Sequence, residues 1–193
     1  DPGTGYAIDW YTVSCGGTSA GTGVSLSVSP STTTTYYARA RQIALGCESA
    51  SCANGTVTVN QKSTDPVSIS ATPSTICDGQ STTLALSGGG GGTGTVIHWY
   101  TGSCGGTPVG TGNNLSVSPS STTTYYGRYE DPAPCSNNTN CLQVTVNVNA
   151  SPSTPSGILA SPSTICNGSS STISVDDPGT GYAIDWYTVS CGG

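Results

Sequence analysis

Nine cysteines, one histidine, one lysine, three arginines and ten acidic side chains carry the chemistry available to this 193-residue chain. The cysteines recur in fixed contexts: STIC at Cys77 and Cys166, SCGG at Cys15, Cys104 and Cys191, and a close pair at Cys47 with Cys52 and at Cys135 with Cys141. Four cysteine positions per repeated segment point to disulfides and an oxidising compartment. An all-thiolate zinc site is the competing chemistry, but its CxxC knuckles are absent, so no metal and no cofactor are expected. His98 stands alone, without the partner that would make it a base or a ligand. The carboxylates Asp78, Glu130 and Asp131 fall on different turns or outward faces and do not recur as a set, which argues against paired-carboxylate hydrolysis. Asp176 with Asp177, and Glu130 with Asp131, lack the D-x-D-x-D-G calcium pattern and read as solvated turn acids. Catalytic residues are therefore not expected, nor is an enzyme. Sequons occur at Asn54, Asn137, Asn149 and Asn167, a pattern that chance makes common in Ser/Thr-rich sequence. Lys62, the sole lysine, lies between segments, so a Lys–Asn crosslink cannot recur in each domain.

These residues are placed by a repeat. Asp1–Gly17 (DPGTGYAIDWYTVSCGG) returns unchanged at Asp177–Gly193, a period of 177 − 1 = 176 positions. A diverged copy, GGTGTVIHWYTGSCGG, lies between them, with Trp99 following Trp10 by 99 − 10 = 89 positions and preceding Trp186 by 186 − 99 = 87. The period thus holds two related repeats, A and B, each of a length that suits one small β-sandwich. The net charge of −6, without a basic cluster, makes nucleic acid and anionic membranes poor partners. No apolar run approaches the ~20 residues of a membrane span.

Repeat B reads as short alternating runs divided by turn residues: 67–71, 82–86, 96–101, 114–118, 122–130 and 141–148, plus a short edge segment after SCGG. STICDGQS reads as a turn and Gly88–Gly92 as a flexible run. The fold class is all-β: tandem antiparallel sandwiches of about seven strands, stapled by disulfides. Alternation turns Ile69, Leu84, Leu86, Ile97, Trp99, Leu115, Val117, Tyr125, Val144 and Val146 inward. Their repeat A counterparts are Ile8, Trp10, Leu26, Val28, Tyr36, Val57 and Val59 early in the chain, and Ile158, Ile173, Val175, Ile184 and Trp186 late. A Trp on the third strand and a Tyr opening the sixth are features of immunoglobulin-like sandwiches.

An up-and-down tracing puts the STIC turn and the SCGG turn at one pole, and the last hairpin at the other. The expected disulfides are therefore Cys77–Cys104, Cys166–Cys191, Cys135–Cys141 and Cys47–Cys52, with the partner of Cys15 outside this sequence. Antiparallel pairing sets Tyr11 opposite Tyr37 and Tyr100 opposite Tyr126 on the outward face, with Asp9 opposite Arg39 and His98 opposite Arg128. These four tyrosines read as cross-strand stabilisers, and also form a candidate contact surface for a glycan or a neighbouring filament. The expected domains are residues 1–60, the later part of repeat A; 67–148, a complete repeat B; and 156–193, the first strands of the next repeat A. Linkers 61–66 and 149–155, stiffened by prolines, join them.

With STIC, WYTGSCGGTPVGTG, LSVSPSSTTTYYGR and CLQVTVNV in view, the sequence resembles the Ig-like tandem repeats of large secreted surface proteins and adhesins of Bacteroidetes-type bacteria. The resemblance implies a cell-surface or extracellular stalk, rod or filament with a structural role. The expected partners are adjacent copies of the same repeat along a fibre, with lateral filament contacts or glycans as the alternative. Two routes to a fibre stay open: one long polypeptide, or subunits whose partial domains exchange strands.

Overall fold

The computed structural model describes residues 3–176 and 181–188, and among them every regular element is a strand. The chain begins with β1 (Tyr6–Thr12), β2 (Thr18–Thr22), β3 (Thr34–Gln42) and β4 (Ala53–Val57), which form one sheet in the order β2-β1-β3-β4. Next come β5 (Ser68–Thr72), β6 (Thr75–Cys77), β7 (Thr82–Ser87), β8 (Val96–Thr101), β9 (Thr107–Thr111), β10 (Leu115–Val117), β11 (Thr123–Glu130) and β12 (Leu142–Asn149). They make a three-stranded sheet, β10-β7-β5, and a five-stranded sheet, β6-β12-β11-β8-β9. β13 (Leu159–Ser161) and β14 (Thr172–Ser174) form a final antiparallel pair.

The described chain gathers into two compact units. One comprises the residues up to Ser70 with Leu84–Leu115 and Thr124–Val144; the other comprises Ala71–Thr83, Ser116–Thr123 and the residues from Thr145 onward. In the first unit Leu84, Leu86, Trp99 and Tyr125 are buried; in the second Ala71, Ile76, Thr82 and Val146 are. Apolar and polar positions alternate along β7, where Thr82, Leu84 and Leu86 are buried and their neighbours less so, as a period-2 pattern dictates. The indole N–H of Trp99 donates to the Gly112 carbonyl at 2.8 Å, so the fully buried ring leaves no polar atom unpaired.

Three local expectations change. The STIC segment is not only a turn: its residues form β6, which lies parallel to β12 with Thr75 opposite Asn147 and Cys77 opposite Asn149. A parallel partner inside an antiparallel sheet leaves no alternation signal in three residues. The glycine run is packed rather than loose, since a Cβ on Gly89 would stand 2.0 Å from the Asp65 carbonyl oxygen. Its residues pair with the linker through Thr64 N–H to the Gly90 carbonyl (3.1 Å) and Gly90 N–H to the Thr64 carbonyl (3.0 Å). Segment 61–66 is likewise bound tightly, with Ser63 buried at 8% exposure.

Candidate functional site

The described residues gather no group of three or more His, Cys, Asp or Glu side chains able to hold a metal. What the structure does assemble is a set of staples, a polar knot and two uncovered apolar surfaces.

The staples are Cys15–Cys52 and Cys104–Cys141, with Cα atoms 5.7 and 5.8 Å apart. They overturn the pairings Cys77–Cys104, Cys135–Cys141 and Cys47–Cys52, and they place the partner of Cys15 within the sequence. Cys166 is an exposed free thiol, and Cys191 lies outside the described residues. The bridges run differently because β4 begins partway along β3: Ala53 pairs with Ala38, which pairs in turn with Trp10 at the middle of β1. The turn after β1 curls back over the same sheet, so that a Cβ on Gly16 would lie 3.5 Å from the Arg39 guanidinium. Each bridge therefore crosses the outer face of one sheet beside an arginine, and in repeat B Arg128 Nη1 lies 3.9 Å from Cys104 Sγ. A loop of this length, 37 residues in each repeat, is worth about 3–4 kcal/mol in the chain-entropy model.

The tyrosine registers are as expected: Tyr11 pairs with Tyr37, Asp9 with Arg39, Tyr100 with Tyr126 and His98 with Arg128. The side chains are less open than the registers imply. Tyr100 is buried, at 8% exposure. Its hydroxyl donates to Glu130, the Arg128 guanidinium lies 5.3 Å from its ring centroid, and His98 stacks at 6.4 Å. Burial pushes the Tyr100 phenol up, and the hydrogen bond to Glu130 pushes it further. Burial alone would raise Glu130, but hydrogen bonds from Tyr100 and Arg128, with the Arg128 charge, hold it below the usual carboxylate value. The ion pairs also differ from the strand register, since Arg41 rather than Arg39 binds Asp9 (2.6 Å) while Arg39 binds Glu48 (2.7 Å). Tyr11, Tyr37 and Tyr126 stay half-buried.

Asp131 is not a solvated turn acid. It is 6% exposed and accepts from Ser63 N–H (2.7 Å), Ser63 Oγ (2.5 Å) and Thr95 Oγ1 (2.6 Å). Those bonds hold its pKa at about 2. Asn137 Nδ2 donates to the Ser63 carbonyl (3.1 Å), which commits one of the sequon side chains to this knot. Asp65 accepts from the Asn140 backbone and side-chain amides at 2.9 and 2.7 Å, and both bonds lower its pKa. Gly92 lies against the knot, where a Cβ would stand 2.4 Å from Asp131 Oδ1.

The first uncovered surface is a groove of about 270 Å³ lined by Trp10, Leu26, Val28, Tyr36 and Val57, with Gly55 and Thr56. Its counterparts in repeat B, each 89 positions later, include Trp99 at 0% exposure, Tyr125 at 4% and Val146 at 0%, whereas Val57 is 39% exposed. The second surface is the β13–β14 hairpin, where Ile158, Leu159 and Ile173 are exposed. Ile173 corresponds to the buried Leu84, and Ile165 (48% exposed) to Ile76 (3%).

The model of the Ig-like domain described as CHU_C associated matches residues 1–60 and again residues 64–149. The chain belongs to this family. No curated protein matches it. Two consecutive matches to one CHU_C-associated Ig-like model agree with the all-β architecture and mark the chain as a structural or surface module, a fold that is typically not enzymatic.

Proposed function

We propose that the chain is a stretch of an extracellular tandem array, a rod or filament at the cell surface, in which each Ig-like repeat bears load and spacing rather than chemistry. Its domains are residues 1–60 and 156–193, partial copies of repeat A, and 67–148, a complete repeat B, joined through 61–66 and 149–155. The observation that supports this reading is the complementarity of the two uncovered surfaces. The apolar groove of residues 1–60 lies open, and residues 156–176 carry exposed counterparts of the buried Ile76 and Leu84. A segment like Ile158–Asp176 is the occupant that the groove fits, supplied by the preceding stretch of one continuous chain or by a neighbouring subunit.

Because residues 177–193 repeat 1–17, joining 156–176 directly to 1–60 writes out one whole repeat A. That chain is expected to unfold cooperatively, with Trp10 emission shifted to the blue relative to residues 1–60 alone. A joined chain that leaves Trp10 as exposed as before would overturn the proposal. A reducing, denaturing gel of native fibres separates the two routes, since a band near the 19.2 kDa of this chain excludes one continuous polypeptide. Lateral contacts or glycan recognition would fall to the half-buried Tyr11, Tyr37 and Tyr126, because the Tyr100 hydroxyl and ring are already engaged.

A further inference from the structure

Repeat B contains all four cysteine positions, yet only two of them pair: Cys104 bonds Cys141, while Cys77 and Cys135 remain free. Repeat A leaves the same two positions free, at Cys47 and Cys166. Four thiols left over at two equivalent places need a reason in an oxidising compartment.

Their surroundings supply one. Cys135 lies where the chain enters repeat B, and its thiol donates to the carbonyl oxygen of Asn60 at 3.5 Å. Cys77 lies where the chain leaves repeat B: it is the ladder partner of Asn149, and the next amide, Asp78 N–H, donates to the carbonyl oxygen of Asn149 at 2.9 Å. Asn60 and Asn149 are the same position of the repeat, 149 − 60 = 89, as Cys52 and Cys141 are, 141 − 52 = 89. One carbonyl at the exit of each repeat is thus approached by the STIC segment of that repeat and by the loop cysteine of the next. Overlaying the two junctions puts the amide nitrogen after the STIC cysteine within 2.9 + 3.5 = 6.4 Å of the loop cysteine sulfur.

We infer that these thiols form a second class of disulfide, which bridges consecutive repeats across their linker: the STIC cysteine of one repeat bonds the loop cysteine of the next. This rests on the array reading. With a period of 176, the partner of Cys77 is the copy of Cys47 at 47 + 176 = 223, and the partner of Cys135 is the copy of Cys166 at 166 − 176 = −10. Cys47 and Cys166 likewise find their partners in the repeats before and after. Each bond forms by exchange with a disulfide-bearing thiol oxidant. The two Sγ–H groups lose two protons and two electrons, and the oxidant's disulfide is reduced to two thiols. The resulting geometry requires Cα atoms roughly 4.4–6.8 Å apart.

The test is disulfide mapping by mass spectrometry on a chain extended by one period, residues 1–193 continued with 18–193, folded under oxidising conditions. Peptides holding the Cys77 context are expected crosslinked to those holding the Cys47 context, and Cys166 contexts to Cys135 contexts, with alkylation close to zero at the four thiols whose partners the extended chain contains: Cys77, Cys166 and the copies of Cys47 and Cys135 in the added period. Crosslinks from Cys77 to Cys135 contexts, or full alkylation of those four thiols, would overturn the inference. The 193-residue chain serves as control, with Cys77 and Cys135 alkylated. The gel of native fibres keeps the two readings apart. Reduced subunits near the size of this chain would end the continuous-chain reading, while mapping on the extended chain would still decide the bridge.

Discussion

Repeats A and B place the same residue types 89 positions apart, yet Trp99 has no exposed surface and Trp10 lines an open groove. Both tryptophans donate to a backbone carbonyl, Gly23 and Gly112 respectively, and both stand beside a strand irregularity at the same place. The difference lies outside the sheet that carries them. In repeat B, β5, β6 and β7 come before the strand that carries Trp99, and Leu84 and Leu86 of β7 are buried. The sheet sets its hydrogen bonds by itself, whereas burial of its apolar face depends on the strands that come first.

Truncation of the tryptophans is the severest way to break this contrast. Trp99→Ala is expected to cost about 3–5 kcal/mol, and Trp10→Ala clearly less; urea unfolding of the chain followed by circular dichroism measures both. Equal losses would mean that the groove is already closed. Next in size is the staple: replacing Cys104 and Cys141 by Ser should cost about 3–4 kcal/mol, while Cys77→Ser or Cys135→Ser in this chain should leave the unfolding midpoint unchanged. A smaller effect distinguishes the two tryptophan cradles. Gly127 packs against Trp99 so closely that a Cβ would stand 2.7 Å from the ring, whereas repeat A carries Ala38 at that position. Gly127→Ala is expected to destabilise repeat B by about 1–3 kcal/mol, and Ala38→Gly to change repeat A little; thermal melts of the two variants compare them. The narrowest effect is confined to acid. The folded pKa of Asp131, about 2, lies below the unfolded value of ~3.9. Its contribution is therefore present above pH ~4 and is lost as pH falls towards 2. Asp131→Asn should flatten the fall in melting temperature between pH 4 and 2, and an unchanged slope would remove Asp131 from the account. Repeat A, with Gln42 at the equivalent position, has no such term.

The strands and their faces were legible because a period of two over five to nine residues admits one assignment, and because the second copy checked the first. Cross-strand registers such as Tyr100 with Tyr126 followed from the same alternation. The disulfides were not legible, since their geometry depends on where β4 starts along β3 and on how a turn curls, neither of which leaves a trace in cysteine spacing. Asp131 and Ser63 were missed for a related reason: their bonds join positions 68 residues apart, and each residue alone looks like ordinary loop chemistry. Burial of Tyr100 escaped the face assignment because outward side chains, Arg128 and Glu130, cover it.

The short parallel pairing of β6 with β12 has a mechanical meaning. A pull on the chain beyond Asn149 would run along β12 and load together the bonds from Asn147 N–H to the Ser74 carbonyl and from Asp78 N–H to the Asn149 carbonyl, each 2.9 Å long. Such a load shears the ladder, so its rungs must give way together rather than one after another. Under such a load, three residues that first read as a turn would act as a latch on β12.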